Sequence, residues 1–151
     1  MRNLLILSSL IASLSGARVL QAQQSVKSVK TVRLRFQKVD QVALDFGVDT
    51  AEMRSQAIRG LSDAGITVAG DPRAPELRIE VRVPRSLAPV DLGVLQVEMV
   101  LLESDKADPH RRLWHNSATT VRFTTYTSLQ RLAPEQLARG LDELAAAHRG
   151  A

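Results

Sequence analysis

The sequence predicts an α/β fold, an α+β two-layer sandwich in the order β-α-β-β-β-α, with a four-stranded mixed sheet and two helices on one face. Three observations predict it. Four segments alternate apolar and polar residues with period two, as strands buried on one face do. Two segments repeat apolar residues every three or four positions, as helices buried along one stripe do. A helical segment separates the first two strands, which makes them parallel neighbours joined by a right-handed crossover.

Thr31 to Val39 is the first strand, with Val32, Leu34 and Phe36 on one side and Arg33, Arg35 and Gln37 on the other. Asp40 to Val48 reads as a connection. Its Asp45-Phe46-Gly47 spells a kinase metal-binding tripeptide, but no glycine-rich phosphate loop or His-Arg-Asp loop accompanies it, so kinase chemistry is excluded. A helix starts at Asp49, whose carboxylate suits the free N–H groups of a first turn, with Glu52 three residues on and Val48 and Met53 at staple positions. Met53, Ala57, Leu61 and Ala64 form its buried stripe, and Gly65 stands where a left-handed terminating residue belongs. Ile66-Thr67-Val68 then returns toward the sheet.

Gly70-Asp71-Pro72 and Ala74-Pro75 mark a loop before the clearest strand, Leu77 to Val83. Leu77, Ile79, Val81 and Val83 point inward, Arg78, Glu80 and Arg82 outward, and Pro84 ends the strand. After a loop over Ser86 to Leu92, Gly93 to Glu103 is the third strand, with Leu95, Val97, Met99 and Leu101 inward and Gln96 and Glu98 outward. It is apolar on both sides at its far end, which places it centrally. Beyond the polar turn Ser104 to Arg112, Leu113 to Thr125 is the fourth strand. Trp114 and Ala118 have one parity, Val121 and Phe123 the other, so both sets face the core only if a bulge lies near Thr119. Thr127 to Ala133 reads as a linker, and Pro134 suits the first position of a last helix whose stripe is Leu137, Leu141, Leu144 and Ala145. Gly140 weakens that helix by about 1 kcal/mol.

Residues 1–22 have the layout of a secretory signal peptide, with Arg2, an apolar run from Leu4 to Leu14, and cleavage candidates after Ala17 and Ala22. The run is too short to span a membrane. Residues 23–30 read as a flexible arm and residues 31–151 as a single domain. The expected compartment is the periplasm or exterior of a bacterium, with no transmembrane segment in the mature chain. Cleavage after Ala22 leaves 129 residues, with 18 basic against 16 acidic. The basic residues are mostly Arg, so the isoelectric point is high at a small net charge.

The chain contains no cysteine, which excludes disulfides, thiol catalysis and a lipobox. No Gly-x-Ser-x-Gly elbow is present for a hydrolase triad. Asp105, Asp108, His110 and His115 match no metal-site spacing, and turn composition explains the aspartates. No metal or cofactor is expected. Glu80 and Glu98 read as members of an ion-pair ladder. Nucleic acid is not expected as a partner either, since five aromatics are too few for a base-stacking sheet.

The expected function is a non-enzymatic binding or accessory module of the bacterial envelope. The alternatives are a self-assembling, dimeric component and, third, a small hydrolase. The candidate binding residues are Arg33, Arg35, Arg78, Arg82 and Arg122 on the polar sheet face, where forked guanidinium groups suit carboxylate or phosphate. The expected partner is another envelope protein or an anionic surface. Trp114, the one tryptophan, is a candidate interface anchor as well as a core residue.

Leu61-Ser62-Asp63-Ala64-Gly65-Ile66-Thr67-Val68 and Ala74-Pro75-Glu76-Leu77-Arg78-Ile79-Glu80-Val81 are followed by the strand Gln96 to Glu103, the Leu113-Trp114 strand start and an Ala-rich last helix. This order resembles the lipopolysaccharide-assembly lipoprotein and related periplasmic α/β envelope modules over residues 31–148. The resemblance implies an envelope accessory role and no catalytic residue. The chain departs from those proteins in having no cysteine for a lipid anchor.

Overall fold

The alternation and the helical stripes become one sheet covered on one side. A computed structural model describes residues 26–84, 93–104, 111–116 and 119–150; the expected signal peptide and the metal-spaced Asp105, Asp108 and His110 lie outside them. The elements are β1 (Thr31–Val39), α1 (Gln41–Asp45), α2 (Thr50–Asp63), β2 (Thr67–Val68), β3 (Glu76–Arg82), β4 (Gly93–Leu102), β5 (Arg112–His115), β6 (Thr119–Phe123), a 3-10 turn (Tyr126–Ser128) and α3 (Leu129–Arg149).

The sheet order is β2-β1-β3-β4-β5, with β6 also paired to β4. β1 is parallel to β2 and β3, and the other pairs are antiparallel. The mixed sheet and two long covering helices are therefore as expected, but the strand count is six rather than four. Thr67–Val68 gains its place at the edge because the Thr67 N–H donates to the Lys30 carbonyl (2.9 Å) and the Ala69 N–H to that of Val32 (3.0 Å).

The expected fourth strand is broken into β5 and β6. Trp114 sits opposite Leu101 and Val121 opposite Leu95, so both face the helices and the shift of parity lies between them. The sequence located this irregularity near Thr119; the residue that bridges it is Asn116, a buried amide 3% exposed.

Asp49 caps α2 as expected, accepting from the Ala51 N–H (2.7 Å) and the Glu52 N–H (3.2 Å), and Gly65 follows with φ +79°. The connection after β1 contains α1, which folds because Ala43 is fully buried. The linker over 127–133 is overturned. α3 begins at Leu129, five residues before Pro134. Leu129, Leu132 and Ala133 bury against the core, and one lost intrahelical hydrogen bond near the helix start does not outweigh that burial.

Gly140, read as a weak point, is where α3 approaches β4: a Cβ there would lie 2.4 Å from Met99 Sδ. Of the arm expected over 23–30, residues 26–30 are described. They pack rather than hang free: Val26 and Val29 belong to the core, and His148 Nε2 lies 2.8 Å from the Val29 carbonyl.

Candidate functional site on the open sheet face

Both long helices lie on the face lined by Leu77, Ile79, Leu95, Val97, Met99 and Leu101, all 0–1% exposed. Strand register decides what the opposite face carries. Arg35 sits beside Arg78, Glu80 beside Glu98, Arg82 beside Gln96, and Val94 beside Arg122. The pairing therefore brings Arg33, Arg35, Arg78, Arg82 and Arg122 onto one face. Trp114 is not among them; it packs, half-buried, against the core on the other side.

Two residues on this face escaped the sequence reading. Glu76 is the first residue of β3 and shares the parity of Arg78 and Glu80. The signal was present, because the alternation extends one residue back from Leu77, but the preceding Ala74-Pro75 had suggested loop. Arg112 closes the polar turn in the sequence pattern, whereas in the structure it pairs with Leu102 at the start of β5.

Glu76 organises one half of the face. Its carboxylate is nearly buried, with 11% of the side chain exposed. Oε1 accepts from Arg78 Nε (3.1 Å) and Nη2 (2.9 Å). Oε2 lies 3.8 Å from Arg33 Nη1 and 4.0 Å from Arg35 Nη1. One carboxylate thus faces three guanidinium groups. Arg33 is held further by donating from Nε to the Ala74 carbonyl (3.1 Å), while the Arg35 side chain is 62% exposed.

The other half centres on Glu80 and Glu98, which are direct cross-strand partners. Like charges in that position repel. Arg82 relieves the pair by hydrogen-bonding Glu80 through both Nε and Nη2. That hydrogen bond is the main reason the Arg82 guanidinium is held above its ordinary value, with the charge of Glu80, and then of Glu98 and Asp40, adding to it.

Between the halves lies a shallow depression of about 300 Å³ lined by Arg78, Glu80, Arg82, Glu98, Val100, Leu102 and Arg112. Val100 and Leu102 give it an apolar floor, and the arginines its rim. Arg112 and Arg122 make no ion pair among the described residues. Such a surface can grip a carboxylate or phosphate through the free guanidinium groups and shelter a small apolar group beside it.

No group of three metal-ligating side chains is assembled among the described residues. No helix among them is long and apolar enough to cross a membrane. Asp45-Phe46-Gly47 closes α1, where Phe46 stacks on Tyr126 with ring centroids 4.6 Å apart.

No family model and no curated protein matches the sequence. Among solved structures, the chain is similar to a PelC dodecamer from Paraburkholderia phytofirmans at 17% identity and TM-score 0.48, over 78% of this chain and 88% of that one. It is also similar to a minor lipoprotein from Acinetobacter baumannii at 17% identity and TM-score 0.37, over 77% of this chain and 86% of that one. A bacterial lipoprotein is thus among the similar structures, and neither of the two is described as the lipopolysaccharide-assembly lipoprotein that the sequence resembles.

Proposed function

We propose that the protein is an exported, non-enzymatic binding module of the bacterial envelope whose open sheet face docks an acidic protein partner. Export rests on the signal-like residues 1–22. The envelope setting is supported by the resemblance of Leu61 to Val68 and Ala74 to Val81 to the lipopolysaccharide-assembly lipoprotein and related modules. The observation that carries the docking surface is a sheet face left bare by both helices, where Arg35 extends into solvent and Arg112 and Arg122 lack acidic partners among the described residues.

Arg33, Arg78 and Arg82 are engaged by Glu76 and Glu80, whereas Arg112 and Arg122 have no acidic partner among the described residues and Arg35, at the 4.0 Å limit from Glu76, keeps 62% of its side chain exposed, so these three are the best placed to meet a partner. The triple change of these three to Gln is expected to abolish salt-sensitive binding of a polyglutamate probe while circular dichroism stays native. Binding should fall as salt rises, because exposed charges are screened over about 8 Å at physiological ionic strength. Unchanged binding by the folded triple variant overturns the reading. Binding of phosphatidylglycerol vesicles but not of polyglutamate replaces the protein partner with a lipid surface, and turnover in a broad hydrolase screen overturns the non-enzymatic role.

A further inference from the structure

The two ends of the sheet differ in how their outer backbone groups are treated. At the β1 end, β2 occupies the first two residues, Thr31 and Val32. Arg54 Nη2 donates to the Leu34 carbonyl at 3.4 Å. The register of β1 slips between Phe36 and Lys38, and the Lys38 side chain is 60% exposed. A short cover strand, a bulge and an exposed lysine are the devices by which proteins keep an edge from pairing with another chain.

Among the described residues β6 has neither a cover strand nor a bulge in its pairing with β4, and its one charged side chain is Arg122. Thr119-Thr120-Val121-Arg122-Phe123 has no proline, lysine or acid, and it is an unbroken run against β4 from Gly93 to Val97. The backbone hydrogen bonds of β6 run to β4, and among the described residues no other segment donates to or accepts from its outer side. Thr, Val and Phe also favour extended pairing.

We infer that β6 is the dimerisation edge of this protein and that its partner is β6 of a second copy, paired antiparallel about a two-fold axis at Val121. With one blunted and one open edge, the chain is suited to an isologous pair and not to a head-to-tail ring. The register follows from charge. A two-fold axis at Arg122 would set the two Arg122 side chains opposite each other, which is destabilising. An axis at Val121 places Arg122 of each copy opposite Thr120 of the other, sets the half-buried Val121 side chains together, and pairs all five residues. The axis is perpendicular to the sheet, so the two open faces join into one. This inference stands whether or not that face binds an anion.

Sedimentation equilibrium of the wild type, Thr120→Arg and Thr120→Glu tests it. Thr120 is exposed on the open face, so both changes leave the core untouched, and both lower strand propensity. The wild type is expected to dimerise. Thr120→Arg sets like charges opposite each other twice per dimer and should weaken association by roughly tenfold or more, whereas Thr120→Glu sets opposite charges there and should tighten it. A wild type that stays monomeric at every concentration overturns the inference. So do the two variants shifting the equilibrium in the same direction, or neither shifting it.

Discussion

Asn116 faces Met99 at the break between β5 and β6, and its side-chain oxygen takes the place of a backbone acceptor there. Its backbone N–H donates to the Met99 carbonyl (3.1 Å) and its side-chain Oδ1 accepts from the Met99 N–H (2.8 Å), while Nδ2 donates to the Val97 carbonyl (3.0 Å). The amide thus continues the hydrogen bonding of β4 between its pairing with β5 and its pairing with β6. A buried break in a ladder is tolerated only when such partners are supplied.

Asn116→Ala removes the acceptor for a buried backbone N–H and is expected to lower stability by about 1–3 kcal/mol. Urea unfolding followed by circular dichroism measures it. A loss below about 0.5 kcal/mol, within the range of an ordinary surface change, would show that the bridge is dispensable.

Gly140→Ala separates propensity from packing. Alanine favours a helix by about 1 kcal/mol over glycine, yet the added Cβ falls 2.4 Å from Met99 Sδ in a filled core. Overpacking costs about 1–3 kcal/mol, so the net effect should be destabilising. Combining it with Met99→Ala should recover part of the loss in a double-mutant cycle. Stabilisation by the single change would mean that Met99 swings aside freely.

Ile79→Asp and Arg78→Ala are adjacent in sequence and opposite in consequence. Ile79 is fully buried between β1 and β4, and an unpaired carboxylate there should cost more than about 3 kcal/mol. Arg78→Ala leaves Glu76 with Arg33 and Arg35 nearby and should cost about 1 kcal/mol. Thermal unfolding of both reads the contrast, which equal losses would abolish.

Glu76→Gln leaves three guanidinium groups around a neutral amide. Stability should fall by roughly 1–2 kcal/mol at low ionic strength, from the lost charge-assisted hydrogen bonds and the unrelieved repulsion. Added salt should restore part of it by screening that repulsion. Urea titrations at two salt concentrations suffice, and a loss independent of salt would count against the electrostatic account.

The open face was legible in the sequence because strand alternation is a local property. Arg33, Arg35, Arg78 and Arg82 needed only their own strands' parity to be placed. Arg122 needed the break as well, and the conflict between Trp114 and Val121 revealed that a break existed, though not that Asn116 bridges it. Features created by long-range partners were not legible. Thr67–Val68 is too short to announce itself as a strand and exists because β1 offers it an edge. The start of α3 was misplaced because proline rules suggested Pro134, while the burial of Leu129 is set by the finished core. Gly140 looked like a local flaw because Met99, its reason, is 41 residues away in the chain.

The placement of Trp114 has a practical consequence. It is the one indole in the chain, half-buried opposite Leu101 and just ahead of the break. Its emission therefore reports on the β4–β5 contact, while far-ultraviolet dichroism is dominated by α2 and α3 at the other layer. Recorded together during unfolding, the two signals form a built-in pair of clocks. Superimposed curves mean that the sheet margin and the helical layer let go as one cooperative unit; an earlier red shift of the indole means that the margin frays first.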